Sequence, residues 1–421
     1  EVKVKLIGSL NSYLTAPVTV SSMDLTLIDR FPHASIHLRD VLARDAITKR
    51  DTLLFAEDLY LEFSLWSLFR KSYTVDQVHG EHVLAYPGID SSGAGNWVVW
   101  KTDSAATSTG FALDRVTLED LDVRFRDART AMELTAASER LSLGGRFNEK
   151  GNTVKVNGDA WLQRWSDRGG TVLSDRKAAL RMELAFGGAD GAFRITRGEV
   201  LSGDVPLAVT LELLPGPDGD QLDLRANGLG LDLADALQLL PDGLRRTFSR
   251  YGIGGGMDLA LTYKGPIATG PILSMGVKVR NGNMLERRSG ARFKAINGEC
   301  AIDIDPHGDL TRLLVKGFSA QAASGNISGP GDMNGLRNAP LKADVKADIA
   351  LAELLRFAQV DTLEEVAGRL VAKAHVEGKL RDASDLKSAD LRALKISGTA
   401  QLKDATLKMK GIRHVISGLN T

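Results

Sequence analysis

The stretch that decides the fold is Leu180-Arg-Met-Glu-Leu-Ala-Phe186. Its apolar side chains occupy every second position, and Arg181 and Glu183 stand between them. Successive side chains of an extended strand point to opposite faces of a sheet, so a period of two predicts a half-buried strand. We expect this stretch to belong to a sheet that is apolar on one face and polar on the other.

The same alternation recurs along the chain and predicts further strands. Its apolar positions are Leu59, Leu61, Phe63 and Leu65, then Leu207, Val209, Leu211 and Leu213, then Met257, Leu259, Leu261 and Tyr263, then Val277 with Val279, Ile302 with Ile304, and Leu407 with Met409. Turn signals separate these segments at Gly187-Gly188, at residues 215–219 and at Asn281-Gly282. Such short connections favour antiparallel meanders over helical crossovers.

Helical patterns are few. The clearest stripe consists of Leu233, Ala236, Leu237 and Leu240, and Pro241 is expected to end it. Residues 351–357, 362–367 and 66–70 are shorter candidates for helical turns.

An internal repeat indicates a modular architecture. Residues 231–240 resemble residues 349–358, and the glycine-bounded segment 255–265 resembles 368–378. The repeated unit is a strand, a short helix and a meander of strands, used at least twice. We therefore predict two regions: residues 1–190 as an N-terminal β region, and residues 191–421 as a repeated region that continues the same groove.

Composition excludes several classes of protein. Among 421 residues, Lys plus Arg and Asp plus Glu both number 53, which argues against a basic nucleic-acid-binding surface. Cys300 is the only cysteine, so an intramolecular disulfide and a multi-cysteine zinc site are both excluded. No window reaches the ~20 consecutive apolar residues that span a bilayer, and Glu1 is not a natural start, so we expect an anchor or signal segment upstream.

The number of expected strands raises the question of what covers their apolar face. On the order of twenty strands fit this length, against roughly three short helices. Three architectures remain: a two-sheet sandwich, a solenoid with a filled core, or a long curved sheet folded into a groove whose apolar lining is covered by ligand. Periodicity alone does not choose among them, and on periodicity alone a sandwich core is favoured. A lining of aliphatic residues, with only 6% aromatic residues overall, suits an acyl chain.

The groove hypothesis designates inward-facing residues as candidates for lipid contact. They are Leu59, Leu61, Phe63, Leu180, Met182, Leu184, Leu207, Val209, Leu211, Met257, Leu259, Leu261, Val277, Val279, Ile302 and Ile304.

Motif searches predict no catalytic residue, metal site or cofactor. Residues 252–256 read Gly-Ile-Gly-Gly-Gly without a following Lys-Ser or Lys-Thr, so we interpret them as a turn or hinge instead of a phosphate-binding loop. His79, Glu81 and His82 lack the HExxH pattern, and we interpret them as a solvent-facing strand end. No nucleophile motif surrounds Cys300, which is expected to be buried and inert.

Two further groups of residues have alternative interpretations. Asp303 and Asp305 are expected to share the outer face of a strand, where a solvated surface is favoured over a calcium site. Trp97 with Trp100, and Trp161 with Trp165, fit either membrane-interface anchoring or local packing, and we favour packing.

The first hundred residues resemble the AsmA-like family. The pieces that carry the resemblance are Tyr13-Leu-Thr-Ala-Pro-Val-Thr-Val20, Phe31-Pro32, Ser35-Ile-His-Leu-Arg-Asp-Val41, residues 54–69 and Gly95-Asn96-Trp97. Their order and spacing are more specific than any single piece. The resemblance is strong in residues 13–100 and loose beyond them.

This resemblance implies a location and a role in the bacterial envelope. It implies a periplasmic body anchored in the bacterial inner membrane by an N-terminal helix, and a β-groove similar to that of bridge-like lipid transfer proteins. It also implies movement of phospholipid between the inner and outer membranes, in support of outer-membrane integrity. Phospholipid, the inner membrane and other envelope proteins are the expected partners.

Two other classes of function compete with lipid transport. A structural or assembly factor for outer-membrane β-proteins would use a filled core and exposed strand edges. An envelope enzyme or glycan-binding solenoid would need a catalytic or binding constellation that the motifs do not supply.

Overall fold

The computed structural model describes residues 11, 14–26, 33–64, 75–97, 99, 115–146, 152–167, 170–188, 190–216, 219–240, 245, 248–287, 290–353, 363–383, 393–409 and 416–419. Strands account for 75% of these described residues and helices for 4%. The predicted fold class, mostly β with largely antiparallel pairing and few short helices, is confirmed. The chain divides into two compact units, Glu1–Gln221 and Leu222–Thr421.

The described part of the first unit contains twelve strands. They are β1 (Val18–Thr19), β2 (Ser22–Thr26), β3 (His33–Arg44), β4 (Thr52–Ser64), β5 (Gln77–Ala85), β6 (Gly88–Ile89), β7 (Arg115–Asp127), β8 (Met132–Arg146), β9 (Asn152–Asp167), β10 (Gly170–Phe186), β11 (Phe193–Ser202) and β12 (Val205–Leu214). Strands β1 and β2 both pair with β3, and β3, β4 and β5 follow as an antiparallel meander. Strands β5 and β6 pair with β7 in parallel, and β7 to β12 continue antiparallel. The boundary predicted at residue 190 lies between β10 and β11, inside this unit.

The second unit repeats the meander arrangement. Its elements are β13 (Gln221–Asp232), which contains the boundary between the units, α1 (Leu233–Gln238), β14 (Tyr251–Pro266), β15 (Ile272–Glu286), β16 (Arg292–Ile304), β17 (Leu310–Ala322), β18 (Asn326–Ser328), β19 (Gly331–Met333), β20 (Arg337–Ala350), β21 (Leu363–Asp382), β22 (Lys395–Met409) and β23 (Ile416–Leu419). Strands β14 to β17 pair in sequence order. The short strands β18 and β19 both lie between β17 and β20, and β20 to β23 complete the antiparallel series.

The predicted helix over Leu233 to Leu240 is present, and its cap explains where it begins. The side chain of Asp232 accepts hydrogen bonds from the backbone N–H groups of Ala234 and Asp235, at 2.8 and 3.2 Å. An N-cap carboxylate satisfies donors that the first turn leaves without partners. Of the other candidates, residues 351–353 are helical, whereas residues 354–357 and 66–70 lie outside the described part. The helix predicted over residues 362–367 is wrong, because β21 begins at Leu363 and pairs with β22.

A row of charged residues crosses the first unit where strands β3, β4, β5 and β7 lie side by side. The row consists of Asp40, Glu57, His82 and Asp120, all exposed. Three of them have positive φ angles of 48° (Asp40), 50° (His82) and 50° (Asp120). Asp and His adopt this conformation more readily than most residues. The alternation of buried and exposed positions is interrupted at this row. Leu38 and Val41, three positions apart on either side of Asp40, are both buried in the same core cluster.

In the second unit, two predicted turns are instead irregularities within strands. Residues 252–256 lie in β14 and Asn281-Gly282 lie in β15, so the turn or hinge interpretations are wrong. The β14–β15 register shifts between Gly254 and Gly256, where Gly255 has φ +119°. Asn and Gly suit a bulge as well as a hairpin turn, because both tolerate positive φ. The turn signal at Gly187-Gly188 does lie between two strands, β10 and β11.

The internal repeat has matching local structure. Leu231 and Ile349, at equivalent positions, are 2% and 0% exposed. Gly255 and Gly368 are also equivalent, with φ angles of +119° and +102°, and each lies at a register shift of its strand. The repeat therefore extends to the positions where the strands bulge.

Gly255 provides a test of this bulge. A Cβ atom at residue 255 would lie 2.6 Å from the Cα of Gly282 and 3.0 Å from the carbonyl oxygen of Asn281. The left-handed conformation adds ~1–2 kcal/mol for a residue with a side chain. We expect Gly255→Ala to lower the free energy of unfolding by about 2–4 kcal/mol, measured by urea denaturation.

Gly256→Ala is the matched control, because its nearest atom would be the carbonyl oxygen of Arg280 at 3.7 Å. We expect its stability to lie within about 1 kcal/mol of the parent protein, since alanine also restricts the unfolded chain. Equal effects at residues 255 and 256 would contradict the bulge.

Candidate functional site

The sixteen residues proposed for lipid contact all lie within the described part of the chain. Met257 is buried at 6% exposure, and the other fifteen are half-buried. An apolar side chain in this state keeps part of its surface accessible. The question for a binding site is whether such surface is continuous from strand to strand, because extended apolar patches mark binding sites.

Cross-strand pairing joins ten of these residues into lanes, each a row of residues at directly opposed positions on adjacent strands; the six outside the lanes are Phe63, Leu184, Leu211, Met257, Val279 and Ile304. The first unit has two lanes. Lane 1 crosses nine strands and consists of Ile36, Leu61, Val78, Val116, Leu143, Val156, Met182, Gly198 and Val209. Lane 2 crosses ten strands and consists of Met23, Leu38, Leu59, Gly80, Leu118, Leu141, Gly158, Leu180, Val200 and Leu207. With strands about 4.8 Å apart, lane 2 extends over roughly 43 Å.

The second unit has two lanes of the same kind. Lane 3 crosses eight strands and consists of Leu259, Val277, Cys300, Val315, Gly331, Ala343, Val376 and Ile396. Lane 4 crosses seven strands and consists of Leu261, Met275, Ile302, Leu313, Met333, Leu341 and Gly378. Every member of these two lanes is apolar: an aliphatic residue, methionine, glycine or cysteine.

Cys300 is a member of lane 3 between Val277 and Val315. It is half-buried, which differs from the full burial that we expected. Burial raises the pKa of its thiol, and the negative charge of Glu299 raises it further. The thiol is therefore a weak nucleophile in an apolar setting.

Part of the first unit's apolar face is covered by side chains of the protein itself. Leu38, Val41, Ala56, Val83 and Leu121 form a buried cluster. The residues packed against it include the lane members Leu59, Leu61, Leu118 and Leu141. Strands β3, β4, β5, β7 and β8 thus contribute a conventional core. The half-buried residues of β10 and β12, from Leu180 to Leu184 and from Leu207 to Leu211, are the stronger candidates for ligand contact in this unit.

The opposite face of the second unit is held by ion pairs between strands. On this face Asp258 pairs with Arg280, Glu299 with Lys316, and Asp332 with Arg312. The hydroxyl of Ser274 donates to Asp303 at 2.6 Å. The two faces of the strands therefore differ sharply in polarity, as the alternation predicted.

Asp303 and Asp305 do not share the face of one strand as we expected, because β16 ends at Ile304. Asp303 accepts from Ser274, whereas Asp305 follows the strand and accepts from the backbone N–H groups of His307 and Asp309 at 2.9 Å each. Asp305 thus caps a turn.

The tryptophans lie in different local settings. Trp97 is 45% exposed, and Trp100 lies outside the described residues. The indole Nε1 of Trp161 donates to Asp175 at 2.9 Å, and the Nζ of Lys177 lies 5.2 Å from the centre of its ring. These contacts fix Trp161 against β10, which supports local packing for that residue.

The interpretation of His79 as part of a solvent-facing strand end is wrong. His79 lies within β5 at 8% exposure, and its Nε2 lies 2.8 Å from Oε1 of Glu81. Parallel pairing places Glu119 of β7 directly opposite Glu81. The sequence reasoning missed Glu119, because this pairing joins positions 38 residues apart. His82, by contrast, is exposed.

Among the described residues, no helix has the length and apolar character needed to cross a membrane. Comparison with protein-family models, with curated proteins and with solved structures found no match.

Proposed function

We propose that this chain binds phospholipid along its apolar lanes and moves it between the inner and outer membranes of a bacterial envelope. The observation that carries the proposal is the rows of apolar residues, most of them half-buried, that cross the strands of each unit. An acyl chain is the ligand whose shape and chemistry match a long, narrow and uniformly aliphatic surface.

The energetics also favour an acyl chain. Burial of one CH₂ group is worth about 0.8 kcal/mol, so a chain of about sixteen carbons gains on the order of 10 kcal/mol before ordering costs are subtracted. The lane members are similar in polarity, so the gain changes little with position. A bound chain could therefore slide along the lanes without a deep energy minimum.

The headgroup would remain in water. The face opposite the lanes carries the ion pairs of Asp258, Glu299 and Asp332, which already satisfy their charges. In the proposal the protein acts in the periplasm, is anchored in the inner membrane by a segment upstream of residue 1, and is not an enzyme. The periplasmic location and the anchor rest on the resemblance of residues 13–100 to AsmA-like proteins, and the proposal of a non-enzymatic role rests on the motif search.

Site-specific crosslinking tests the proposal. A photoreactive amino acid at Met182, a half-buried member of lane 1, should crosslink phospholipid when the protein is produced in bacterial cells. The same group at Arg181, whose exposed side chain points to the other face and pairs with Glu199, should not. Native mass spectrometry of the parent protein should show bound phospholipid.

Crosslinking of lipid from both positions in equal amounts would overturn the lane assignment. Absence of phospholipid from the mass spectra, together with no crosslink at Met182, would overturn the lipid proposal. If the photoreactive group at Met182 instead crosslinked unfolded outer-membrane β-proteins, the result would support a role as an assembly factor.

A further inference from the structure

The polar face of the first unit contains a cluster of potential metal ligands on β5 and β7. His79 and Glu81 are two residues apart on β5, so their side chains share a face, and Glu119 lies opposite Glu81 on β7. One ligand atom from each of the three residues lies within 4.8 Å of the others. Among the described residues, this is the one group of three such side chains that meets this distance.

The cluster lies in a shallow, open pocket. The pocket has a volume of about 420 Å³, and its lining includes His79, Glu81, Thr117, Glu119 and Arg140. The His79 side chain is 11% exposed, and those of Glu81 and Glu119 are 31% and 35% exposed. The ligand atoms are thus partly withdrawn from solvent but remain open to an entering ion.

An aromatic stack orients the histidine. The rings of His37 and Tyr60 are stacked with centroids 4.3 Å apart, and the ring of His79 lies 5.9 Å beyond that of Tyr60. His37 in turn contacts Oδ1 of Asp58 at 2.5 Å. Neighbours that fix a ligand ring in place strengthen metal binding, because less motion is lost when the ion enters.

We propose that His79, Glu81 and Glu119 form a binding site for a divalent transition-metal ion, with Zn²⁺ as the ion that the ligand set fits best. Zinc is bound by one imidazole nitrogen and carboxylate oxygens at about 2.0–2.2 Å, and three protein ligands leave a fourth position for water. Tetrahedral ligands at those distances lie about 3.3 Å apart, so small side-chain rotations would complete the site. Arg140, whose guanidinium lies 3.6 Å from Glu119 and is 70% exposed, can move into solvent.

The position of the site suggests what the metal does. Strands β5 and β6 form the parallel pairings with β7, whereas the other described pairings are antiparallel. Parallel neighbours need a long connection, and Glu119 follows His79 by 40 residues. A crosslink that closes a long loop removes more freedom from the unfolded chain than one across a hairpin. A bound metal would therefore crosslink β5 to β7, where parallel pairing interrupts the antiparallel meander. This role is independent of the proposed lipid lanes.

Zinc titration of the chelator-treated full chain tests the site. Isothermal titration calorimetry should show one equivalent of Zn²⁺ bound, and Zn²⁺ should raise the melting temperature. Co²⁺ should give the visible absorption bands of a four- or five-coordinate ion. Glu119→Gln should weaken zinc binding at least about tenfold, and His79→Gln should do the same.

Two substitutions are matched controls. His82→Gln changes an exposed histidine three residues from His79, and Asp122→Asn changes an exposed carboxylate on β7. Both variants should bind zinc like the parent chain, and Glu119→Gln should retain phospholipid. Absence of stoichiometric Zn²⁺ binding, or unchanged affinity in Glu119→Gln, would overturn the site. Loss of zinc binding in His82→Gln, with zinc binding retained in His79→Gln, would also overturn the site.

Discussion

Replacement of Leu261 with aspartate is expected to abolish the co-purification of phospholipid with this protein. Leu261 is half-buried in lane 4, where Met275 lies opposite it on β15 and Ile302 continues the lane on β16. An acyl chain that covered a carboxylate at this point would remove its water of hydration, which is unfavourable. The carboxylate would therefore exclude the chain from this part of the lane. Loss of contact with about four CH₂ groups corresponds to about 3 kcal/mol, more than a hundredfold in affinity.

The matched control is Ala260→Asp on the same strand. Ala260 is exposed and lies on the other face, opposite Gly276. Both variants introduce the same charge one residue apart, so their effects on net charge and strand propensity are alike. Lipid content per protein, measured by mass spectrometry, should fall in Leu261→Asp alone, with circular dichroism melting curves showing that both variants fold. Equal loss of lipid in the two variants would show that the lanes are not the binding surface.

Asp258 is a poor control for this experiment, although it also faces away from the lanes. Its carboxylate accepts a hydrogen bond from the backbone N–H of Gly230 and pairs with Arg280. These contacts hold the pKa of Asp258 below its usual range, with the bond from Gly230 contributing most. A substitution there would disturb the structure of β14 itself.

Alternation predicted the strands because it reflects a local property, the period of two of an extended chain. It did not predict their lengths. β10 has 17 residues and β21 has 20, whereas the alternating segments of the sequence cover five to nine. Positive-φ residues such as Gly255 and Asp120 interrupt the period of two within a strand. The sequence pattern of one long strand therefore resembles that of two short strands.

The apolar site could be predicted only in part. Leu180, Met182 and Leu184 are recognisable because they alternate along one strand. Gly158 and Gly198 belong to the lanes of Leu180 and Met182, but their membership depends on which strands pair, and pairing is not a local property of the sequence. The cluster of His79, Glu81 and Glu119 shows the same limit more strongly, because Glu119 lies opposite Glu81 only through the parallel pairing of β5 and β7.

Cys300 offers an independent test of the lanes, because it is the only cysteine of the chain and lies within lane 3. Attachment of a bulky polar maleimide to this thiol should displace phospholipid from the protein almost completely, since the label would occupy the lane between Val277 and Val315. Labelling at pH 7 should be slower than that of a free thiol, because the raised pKa of Cys300 leaves less thiolate to react. Prior loading with phospholipid should slow it further.

The matched control moves the thiol by one residue, in the double variant Cys300→Ser with Ala301→Cys. Residue 301 lies opposite Gly276 and Leu314, on the face away from lane 3. The same label at this position should leave the lipid content unchanged, and lipid should not alter its rate of reaction. If labels at 300 and 301 displaced equal amounts of lipid, or if lipid failed to protect Cys300, acyl chains would not lie along lane 3. In that case protein, and not lipid, would have to cover the aliphatic face.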